Sequence, residues 1–426
     1  MNGNILIKNA TQLVTCSGFE TKKGKEMGNL YLLEDGAVLI KDGLIKEVGK
    51  TKDVMKTLDE TGFREGLFTI IDASGKSVLP GFVDSHTHFV FGGYRAEEFS
   101  WRLRGDSYMD IMKSGGGIVN TVEATRNASK DMLIRSGLKR LDSMLSFGVT
   151  TAEGKSGYGL DNDTEIKQLE VMDQLNAVHP VDVIPTFLGA HALPKDYKKR
   201  EDEFISYMIE SVMPEVAEKN LAKFCDVFCE KNLFSVEQSR RLLLKAREMG
   251  FGLKMHADEM VQLGGAELAA ELGAVSADHL LCASDKGIDE MSQAGVVCTL
   301  LPGTAFSLRE PYARARQMID NNCAVALATD FNPGSCFTES IPLIIALATL
   351  YMDMTIEEAI SAFTINGAAA LDMADKIGSI DKGKCADMII LEFPSYQFIP
   401  YHLGVSTVEK VIKKGKVVFD KGKTIC

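Results

Sequence analysis

Two histidines separated by one residue, His86 and His88, are the side chains of this sequence best suited to binding a metal ion. They follow an apolar run, Val78–Asp84, of the kind that forms a buried strand. Because alternate residues of a strand point to the same face, both imidazoles can reach one point in space. The chain holds only seven histidines, and imidazole is the commonest metal ligand among side chains. The pair therefore predicts a metal site at a strand end.

His256 and Asp330 complete the candidate ligand set. Both end apolar runs, and a carboxylate directly after such a run needs a partner because an unpaired buried charge is expensive. Histidine and carboxylate ligands suit zinc, and they also allow iron(II) or manganese. A metal of this kind lowers the pKa of its water toward ~7 and polarises a scissile carbonyl. The set therefore indicates a hydrolase that uses metal-activated water.

Proton transfer in such a site needs a carboxylate near the metal. Glu259, three residues after His256, is the candidate general acid/base, and Asp258 is the competing candidate. We expect His279, at another strand end, to hydrogen-bond the attacking water or the developing oxyanion rather than to bind the metal.

The elements that position these residues alternate along the middle of the chain, with strand-like apolar runs between helical patterns such as Glu237–Met249. That order builds a parallel sheet. Eight runs are predicted as strands, the number that closes a TIM barrel: Gly81–His88, Val149–Gly154, Val181–Ala190, Cys225–Cys229, Gly252–His256, Val275–His279, Val296–Leu301 and Val325–Asp330. The candidate residues fall at C-terminal strand ends, the face where such barrels carry their chemistry.

Both ends of the chain are rich in short β-type runs separated by Gly and charged turns. We predict an α/β protein: a (β/α)8 TIM-like barrel over 76–378, and one small β-sandwich assembled from 1–75 and 379–426. A length of 426 residues suits a barrel with a smaller second domain.

Charge and cysteine content restrict the partners and the compartment. The net charge is −12 and the Lys and Arg residues are scattered, so nucleic acid and an anionic membrane are excluded as partners. Nine cysteines without a regular frame favour a reducing cytoplasm. Cys225 and Cys229 are four apart, a spacing that suits a metal pair or, as we favour, core packing. No signal peptide is evident, and the apolar run around Ile341–Met352 is too short to span a bilayer.

The signature Pro80-Gly-Phe-Val-Asp-Ser-His-Thr-His88 between β-rich ends resembles the amidohydrolase superfamily and, within it, the imidazolonepropionase family. The blocks that carry the closer resemblance are FGGYRAEEF (91–99), SGGGIVNTVEATR (114–126), GKSGYGL (154–160), GAHALP (189–194), DVFCE (226–230), HADE (256–259), SADHLL (276–281), LLPGTAFSLRE (300–310) and ATDFNPGSC (328–336). They cover nearly the whole predicted barrel in order.

The resemblance implies hydrolysis of 4-imidazolone-5-propanoate to N-formimidoyl-L-glutamate, in histidine degradation, with one bound metal, zinc or iron (Fe2+ or Fe3+). It implies metal ligands at His86, His88, His256 and Asp330, and catalytic roles for Glu259, His279 and Asp330. It places substrate contacts at Arg95, Tyr158, His191, Glu259, Asn332, Gly334 and Ser335. It also implies a homodimer.

The residue chemistry agrees with these roles. The propanoate arm is an anion, and Arg95, in the loop after the first predicted strand, can hold a carboxylate through a bidentate pair. The fourth predicted strand contains no lysine of the kind that bridges two metals in some members of the superfamily, which favours one metal.

Two other functions fit part of the pattern. A mononuclear-metal deaminase of a purine- or pyrimidine-like ring would share the ligand set, but it would give no reason for an arginine clamp. A barrel without metal that serves as a scaffold is disfavoured, because every expected ligand and Glu259 are present.

Overall fold

The fold is given by a computed structural model, which describes residues 4–60, 68–105 and 116–422. Ser114 and Gly115, which begin the block at 114–126, lie outside the described residues, as do residues 1–3, 61–67 and 423–426 of the predicted β-sandwich.

Strands and helices alternate through the centre of the chain, and strands prevail at both ends. The strands are β1 (Ile5–Val14), β2 (Leu32–Lys41), β3 (Leu44–Lys50), β4 (Thr69–Asp72), β5 (Ser77–Pro80), β6 (Phe82–Asp84), β7 (Val149–Lys155), β8 (Asp182–Ala190), β9 (Phe224–Cys229), β10 (Gly252–Ala257), β11 (Ser276–His279), β12 (Val297–Leu300), β13 (Ala324–Leu327), β14 (Met388–Leu391), β15 (Val408–Lys413) and β16 (Lys416–Asp420). The helices are α1 (Thr51–Glu60), α2 (Ala96–Arg104), α3 (Ile118–Asn127), α4 (Lys130–Ser146), α5 (Asn162–Val178), α6 (Glu201–Tyr207), α7 (Met213–Glu218), α8 (Val236–Glu248), α9 (Gly265–Glu271), α10 (Asp285–Ala294), α11 (Pro302–Leu308), α12 (Ala315–Asp320), α13 (Ile341–Tyr351), α14 (Ile356–Phe363), α15 (Ile365–Ala369) and α16 (Phe398–Tyr401).

Strands from the two chain ends form one mixed sheet in the order β16-β15-β14-β5-β1-β2-β3, with β4 beside β1. Side chains from its N-terminal strands, such as Ile7 and Val38, share a buried core with Met388 and Ile412 from its C-terminal strands. Strand β5 pairs with β1 and β14, so the sheet continues a few residues beyond Gly75. The division into domains at 75/76 and 378/379 stays a prediction.

The eight central strands, β6 to β13, lie side by side in chain order and are parallel, which confirms the predicted barrel. The barrel closes just beyond the strands themselves. Thr87 bridges Phe331, the Asp330 N–H donates to the His86 carbonyl at 3.0 Å, and the His88 N–H donates to the Phe331 carbonyl at 2.9 Å. This seam therefore joins the first and last segments of the barrel next to the candidate ligands.

The predicted extent of the two seam strands is wrong. Strand β6 ends at Asp84 rather than His88, and β13 ends at Leu327 rather than Asp330. Beyond these points the backbone keeps only isolated bridging contacts across the seam, and Asp330 adopts a left-handed φ of 51°. An L-residue in that conformation cannot continue a strand, so the candidate ligands His86, His88 and Asp330 lie on short loops at the strand ends.

Helix ends in the barrel follow ordinary capping chemistry. Ser129 and Asp161 accept hydrogen bonds from the first turns of α4 and α5, and Ser235 forms a capping box at the start of α8. The predicted helices near Glu237–Met249 and Ile341–Met352 are α8 and α13. Among the described residues, none of the helices has the length and apolar character needed to cross a membrane.

Candidate active site

Three candidate ligands meet at the barrel seam. The Nε2 atoms of His86 and His88 lie 3.3 Å apart, and Asp330 Oδ1 lies 3.6 Å from the first and 3.5 Å from the second. All three side chains are buried. Two nitrogen ligands of a tetrahedral zinc, each about 2.0–2.1 Å from the ion, lie roughly 3.3–3.4 Å apart. The observed spacing therefore fits a shared cation.

His256 comes to the same place from β10. Its ring centroid lies 4.6 Å from that of His86 and 5.5 Å from that of His88. Both of its ring nitrogens are buried and neither makes a hydrogen bond among the described residues, although Nδ1 lies 3.0 Å from Asp226 Oδ2. A buried polar atom normally has a partner, so Nε2, the nitrogen away from this carboxylate, fits the role of a metal ligand. Donor atoms of His256 lie within 4.8 Å of those of His86 and His279, and within 4.8 Å of those of His88 and His191. Asp330 forms such a group with His86 and His88, but not with His256.

Asp330 is held by its neighbours as well as by the imidazoles. The Thr304 hydroxyl donates to Asp330 Oδ2 at 2.5 Å. Burial raises the pKa of Asp330 to about 6, although the Thr304 hydrogen bond acts in the opposite direction. Burial also holds the pKa values of His86 and His88 well below the usual range. Two uncharged imidazoles beside a carboxyl group form a donor set that is chemically suited to a divalent cation.

Glu259 and His279 lie together at the rim of this cluster. Glu259 Oε1 is 3.6 Å from His279 Nδ1. Burial raises the pKa of Glu259 to about 8, and the charge of Asp330 acts in the same direction. A carboxyl group with a pKa near neutrality can both accept and return a proton. The competing candidate, Asp258, is fully buried, and its carboxylate accepts four backbone N–H groups of residues 263–266.

Tyr158 and His191 form the wall beside His88. The His191 ring stacks on His88 with centroids 4.9 Å apart, and Tyr158 lies 5.4 Å from His191. His191 Nδ1 lies 3.1 Å from the Gly157 carbonyl, so its Nε2 is left for the site. Burial lowers the pKa of His191 to about 3, which keeps the ring neutral.

Two buried side chains of α5 hold the loop that presents Tyr158, and the sequence analysis did not single them out. Glu165 accepts the N–H groups of Gly157, Gly159 and Leu160 at 2.8–3.0 Å. Gln168 accepts the Tyr158 N–H at 3.1 Å. The signal available in the sequence was a pair of polar residues on the inner side of a helix directly after a Gly-rich loop.

Arg95 lies at the other side of the site, where it is paired with Glu98. Its guanidinium donates twice to Glu98 Oε2, at 2.9 and 2.7 Å, and lies against the backbone of Gly334. Asn332 uses its side chain within its own loop, where Oδ1 accepts the N–H groups of Gly334 and Ser335 at 2.8 Å. The structure therefore brings the predicted substrate residues to the barrel mouth. Arg95 is paired there with Glu98, and the side chain of Asn332 is hydrogen-bonded within its own loop.

Below the candidate ligands lies a cluster of buried charges that the sequence analysis also missed. It consists of Glu153, Lys155, Asp226, Lys254 and Asp278, all fully buried in the barrel interior. The available signal was the alternation of charged residues along otherwise apolar strands, as in Glu153 and Lys155 on β7.

Cys225 and Cys229 belong to the packed interior rather than to a metal pair. Both thiols are buried, and burial raises the pKa of Cys229 to about 11. Neither cysteine takes part in a potential metal-binding group among the described residues.

Comparison with known proteins agrees with this geometry. The Amidohydrolase family model matches residues 77–418. The imidazolonepropionase of Clostridium tetani is 64% identical over 419 residues, covering 98% of this chain and 99% of that protein. The fold is similar to that of 5-methylcytosine deaminase from Klebsiella pneumoniae (TM-score 0.72, 16% identity, 99% of this chain and 100% of that one). It is also similar to a zinc-bound adenosine deaminase from Xanthomonas campestris (TM-score 0.69, 17% identity, 99% of this chain and 94% of that one).

Proposed function

The chain belongs to the amidohydrolase family and, within it, to the imidazolonepropionases, and on that premise we propose that it opens the ring of 4-imidazolone-5-propanoate by hydrolysis. The product is N-formimidoyl-L-glutamate, an intermediate of histidine degradation to glutamate. The observation that carries the proposal is the convergence of His86, His88 and Asp330, with atoms 3.3–3.6 Å apart, at the mouth of the barrel of a chain 64% identical to an imidazolonepropionase.

One divalent cation, zinc or iron, is proposed to bind His86, His88, His256 and Asp330. The spacing of the first two nitrogens and the unpartnered Nε2 of His256 support this set. When bound, the cation supplies Lewis-acid chemistry, which makes hydroxide available near neutral pH and polarises the ring carbonyl.

Glu259 is proposed to move the proton of the reaction. Its carboxylate takes a proton from the attacking water, whose oxygen adds to the ring carbonyl carbon. The ring C–N bond then breaks, and Glu259 returns the proton to the departing nitrogen. A pKa raised to about 8 suits both transfers near neutral pH. His279, 3.6 Å from Glu259, hydrogen-bonds the developing oxyanion.

The remaining side chains hold the substrate. Arg95 is proposed to bind the propanoate carboxylate through the N–H groups of Nη1, which Glu98 does not use, while Glu98 fixes the orientation of the guanidinium through Nε and Nη2. Tyr158 and His191 contact the imidazolone ring from the wall beside His88. The loop of Asn332, Gly334 and Ser335 supplies polar contacts at the other end of the ligand.

The deaminase alternative has weaker support. Its similarity to this chain is a shared fold at 16–17% identity, whereas the imidazolonepropionase relatives share 59–64% of residues over almost the full length. An uncharged heterocycle as the substrate would also give no reason for an arginine, Arg95, at the barrel mouth.

The proposal is tested by supplying the purified, metal-loaded protein with freshly generated 4-imidazolone-5-propanoate. We expect loss of the imidazolone absorbance and a product heavier by one water, detected by mass spectrometry. Aminated purines and pyrimidines serve as the comparison, with ammonia release as the readout. Ammonia release without consumption of the imidazolone would reject the proposal in favour of a deaminase. The homodimer and the cytoplasmic location stay predictions.

A further inference from the structure

We propose that Lys155 is a positioning residue for the metal centre, because it holds the two carboxylates that orient the ligands His86 and His256. The proposal rests on the metal centre put forward above, and its test measures metal binding without substrate.

Each of these two histidines faces a buried carboxylate with its Nδ1 atom. His86 Nδ1 lies 2.6 Å from Asp278 Oδ2, and His256 Nδ1 lies 3.0 Å from Asp226 Oδ2. A carboxylate at Nδ1 fixes the ring orientation and places the proton there, which leaves the Nε2 lone pair for a metal. The other Asp226 oxygen accepts the His256 N–H at 3.1 Å, so this carboxylate also fixes the backbone of β10.

Both carboxylates are held by the same ammonium group. Lys155 Nζ lies 2.7 Å from Asp226 Oδ2 and 3.5 Å from Asp278 Oδ2, the oxygen atoms that face the two imidazoles. Its third carboxylate neighbour is Glu153, at 3.0 Å. One side chain therefore links two ligands that lie 170 positions apart in the sequence, His86 and His256.

The position of Lys155 in the barrel explains how it reaches both partners. Lys155 is on β7, Asp226 is on β9 and Asp278 is on β11, which are alternate strands of the barrel. Interior layers of such barrels are built by side chains from alternate strands, and bulky aliphatic residues usually fill them. Here the layer consists of three fully buried charged residues, Lys155, Asp226 and Asp278, which is costly unless the charges are paired. Because the two carboxylates contact the candidate ligands, we assign this charged layer the role of orienting them.

Lys155, Asp226 and Asp278 form one interior layer, and Glu153 connects this layer to a second buried cation, Lys254. Lys254 donates to Glu153 Oε2 at 2.8 Å and to the Ser85 carbonyl at 3.0 Å. Glu153 therefore has a second cation, whereas no other lysine or arginine among the described residues forms an ion pair with Asp226 or Asp278. Lys254 also acts on Asp278 through its charge, from beyond ion-pair distance. Removing Lys155 therefore leaves Asp226 without an ion pair to a lysine or arginine, and leaves Asp278 with only that more distant cation.

The experiment compares Lys155→Met with a matched control, Lys384→Met. Lys384 is also fully buried, but its Nζ donates to the carbonyls of Gly18 and Ala374, at the junction of the chain ends rather than in the barrel. The metal-free proteins are titrated with Zn2+ and Co2+ against a competing chelator, and the visible spectrum of the Co2+ form is recorded. Unfolding temperatures of the metal-free forms establish that each variant is folded.

We expect Lys155→Met to weaken metal binding by about 10- to 100-fold and to change the Co2+ absorption bands, with Lys384→Met like the wild type in both respects. If Lys155→Met gives no folded protein, Lys155→Gln, which keeps an N–H donor for one carboxylate, replaces it, and a smaller loss of affinity is expected. A folded Lys155 variant with wild-type affinity and a wild-type Co2+ spectrum would overturn the proposal. The titration and the Co2+ spectrum need no substrate. If the wild type did not turn over the imidazolone, the proposed function would be rejected, but the metal affinity and Co2+ spectrum of the Lys155 variant would still decide this inference.

Discussion

Gly334 allows Arg95 to lie where the propanoate of the substrate is proposed to bind, and the Gly334→Ala variant tests this arrangement. A β-carbon built on Gly334 would lie 2.9 Å from Cζ of Arg95 and closer still to its Nη1. Contacts that short force one group to move. The backbone at Gly334 does not have a left-handed φ, so alanine fits it without backbone strain. The group that moves is therefore the guanidinium of Arg95, which is the far end of a flexible side chain.

The expected effect of Gly334→Ala is on substrate binding rather than on stability. A hydrogen bond to a charged group contributes about 1.5–3 kcal/mol, so displacement of the guanidinium raises KM by about tenfold to a hundredfold. A Gly→Ala change at a compatible backbone position alters the free energy of unfolding by only about 0.4–1 kcal/mol, in the stabilising direction. We therefore expect a raised KM, a Tm at or slightly above that of the wild type, and a smaller effect on kcat.

Steady-state kinetics on the imidazolone and a thermal unfolding scan measure both quantities. Gly28→Ala is the matched control, since a β-carbon there meets nothing within 4 Å. In an Arg95→Ala background, which itself raises KM, the Gly334→Ala change should have no further effect. An unchanged KM in Gly334→Ala, or an equal rise in KM with and without Arg95, would refute the reasoning.

Three further predictions follow from the site and its surroundings. Glu259→Gln should lower kcat by about 10²–10⁴-fold with metal content unchanged, and a kcat close to that of the wild type would exclude Glu259 as the proton carrier. Removal of the metal by a chelator should abolish ring opening and lower Tm, with both restored by zinc, because a ligand that binds only the folded state stabilises it; an active, equally stable metal-free protein would contradict this. Burial lowers the pKa of His179, although Asp142 opposes the shift, so the folded state resists protonation and stability should fall as the pH drops below about 6.5. Urea unfolding at pH 7.5 and 5.5 should show a larger loss for the wild type than for His179→Gln, and equal losses would contradict the prediction.

The barrel was predictable because its strands are apolar runs bounded by turns, and because catalytic residues of such barrels lie at C-terminal strand ends. All eight predicted barrel strands are present. The ends of the two seam strands were not predictable, since they depend on how the barrel closes. His86 and Asp330 are paired across that seam by a backbone hydrogen bond, and nothing in the local sequence of either segment indicates the other.

The sequence did not reveal the residues that position the candidate site residues without belonging to the site themselves. Glu98 pairs with Arg95, and Glu165 collects three backbone N–H groups behind Tyr158. Each is an acidic residue in the first turn of a helix, a place where acidic residues also occur for general reasons of helix stability. Lys155 gave a similar problem, because a single lysine at a strand end is usually exposed, and only the closed barrel shows that it is buried.

Three imidazoles and one carboxylate from distant parts of the chain are proposed to bind one cation. Anomalous diffraction from crystals of the metal-loaded protein, with metal content measured on the same sample, tests it most directly. We predict one cation per chain, with His86, His88, His256 and Asp330 as ligands at about 2.0–2.2 Å. A cation bound elsewhere, or one without Asp330 as a ligand, would contradict the claim.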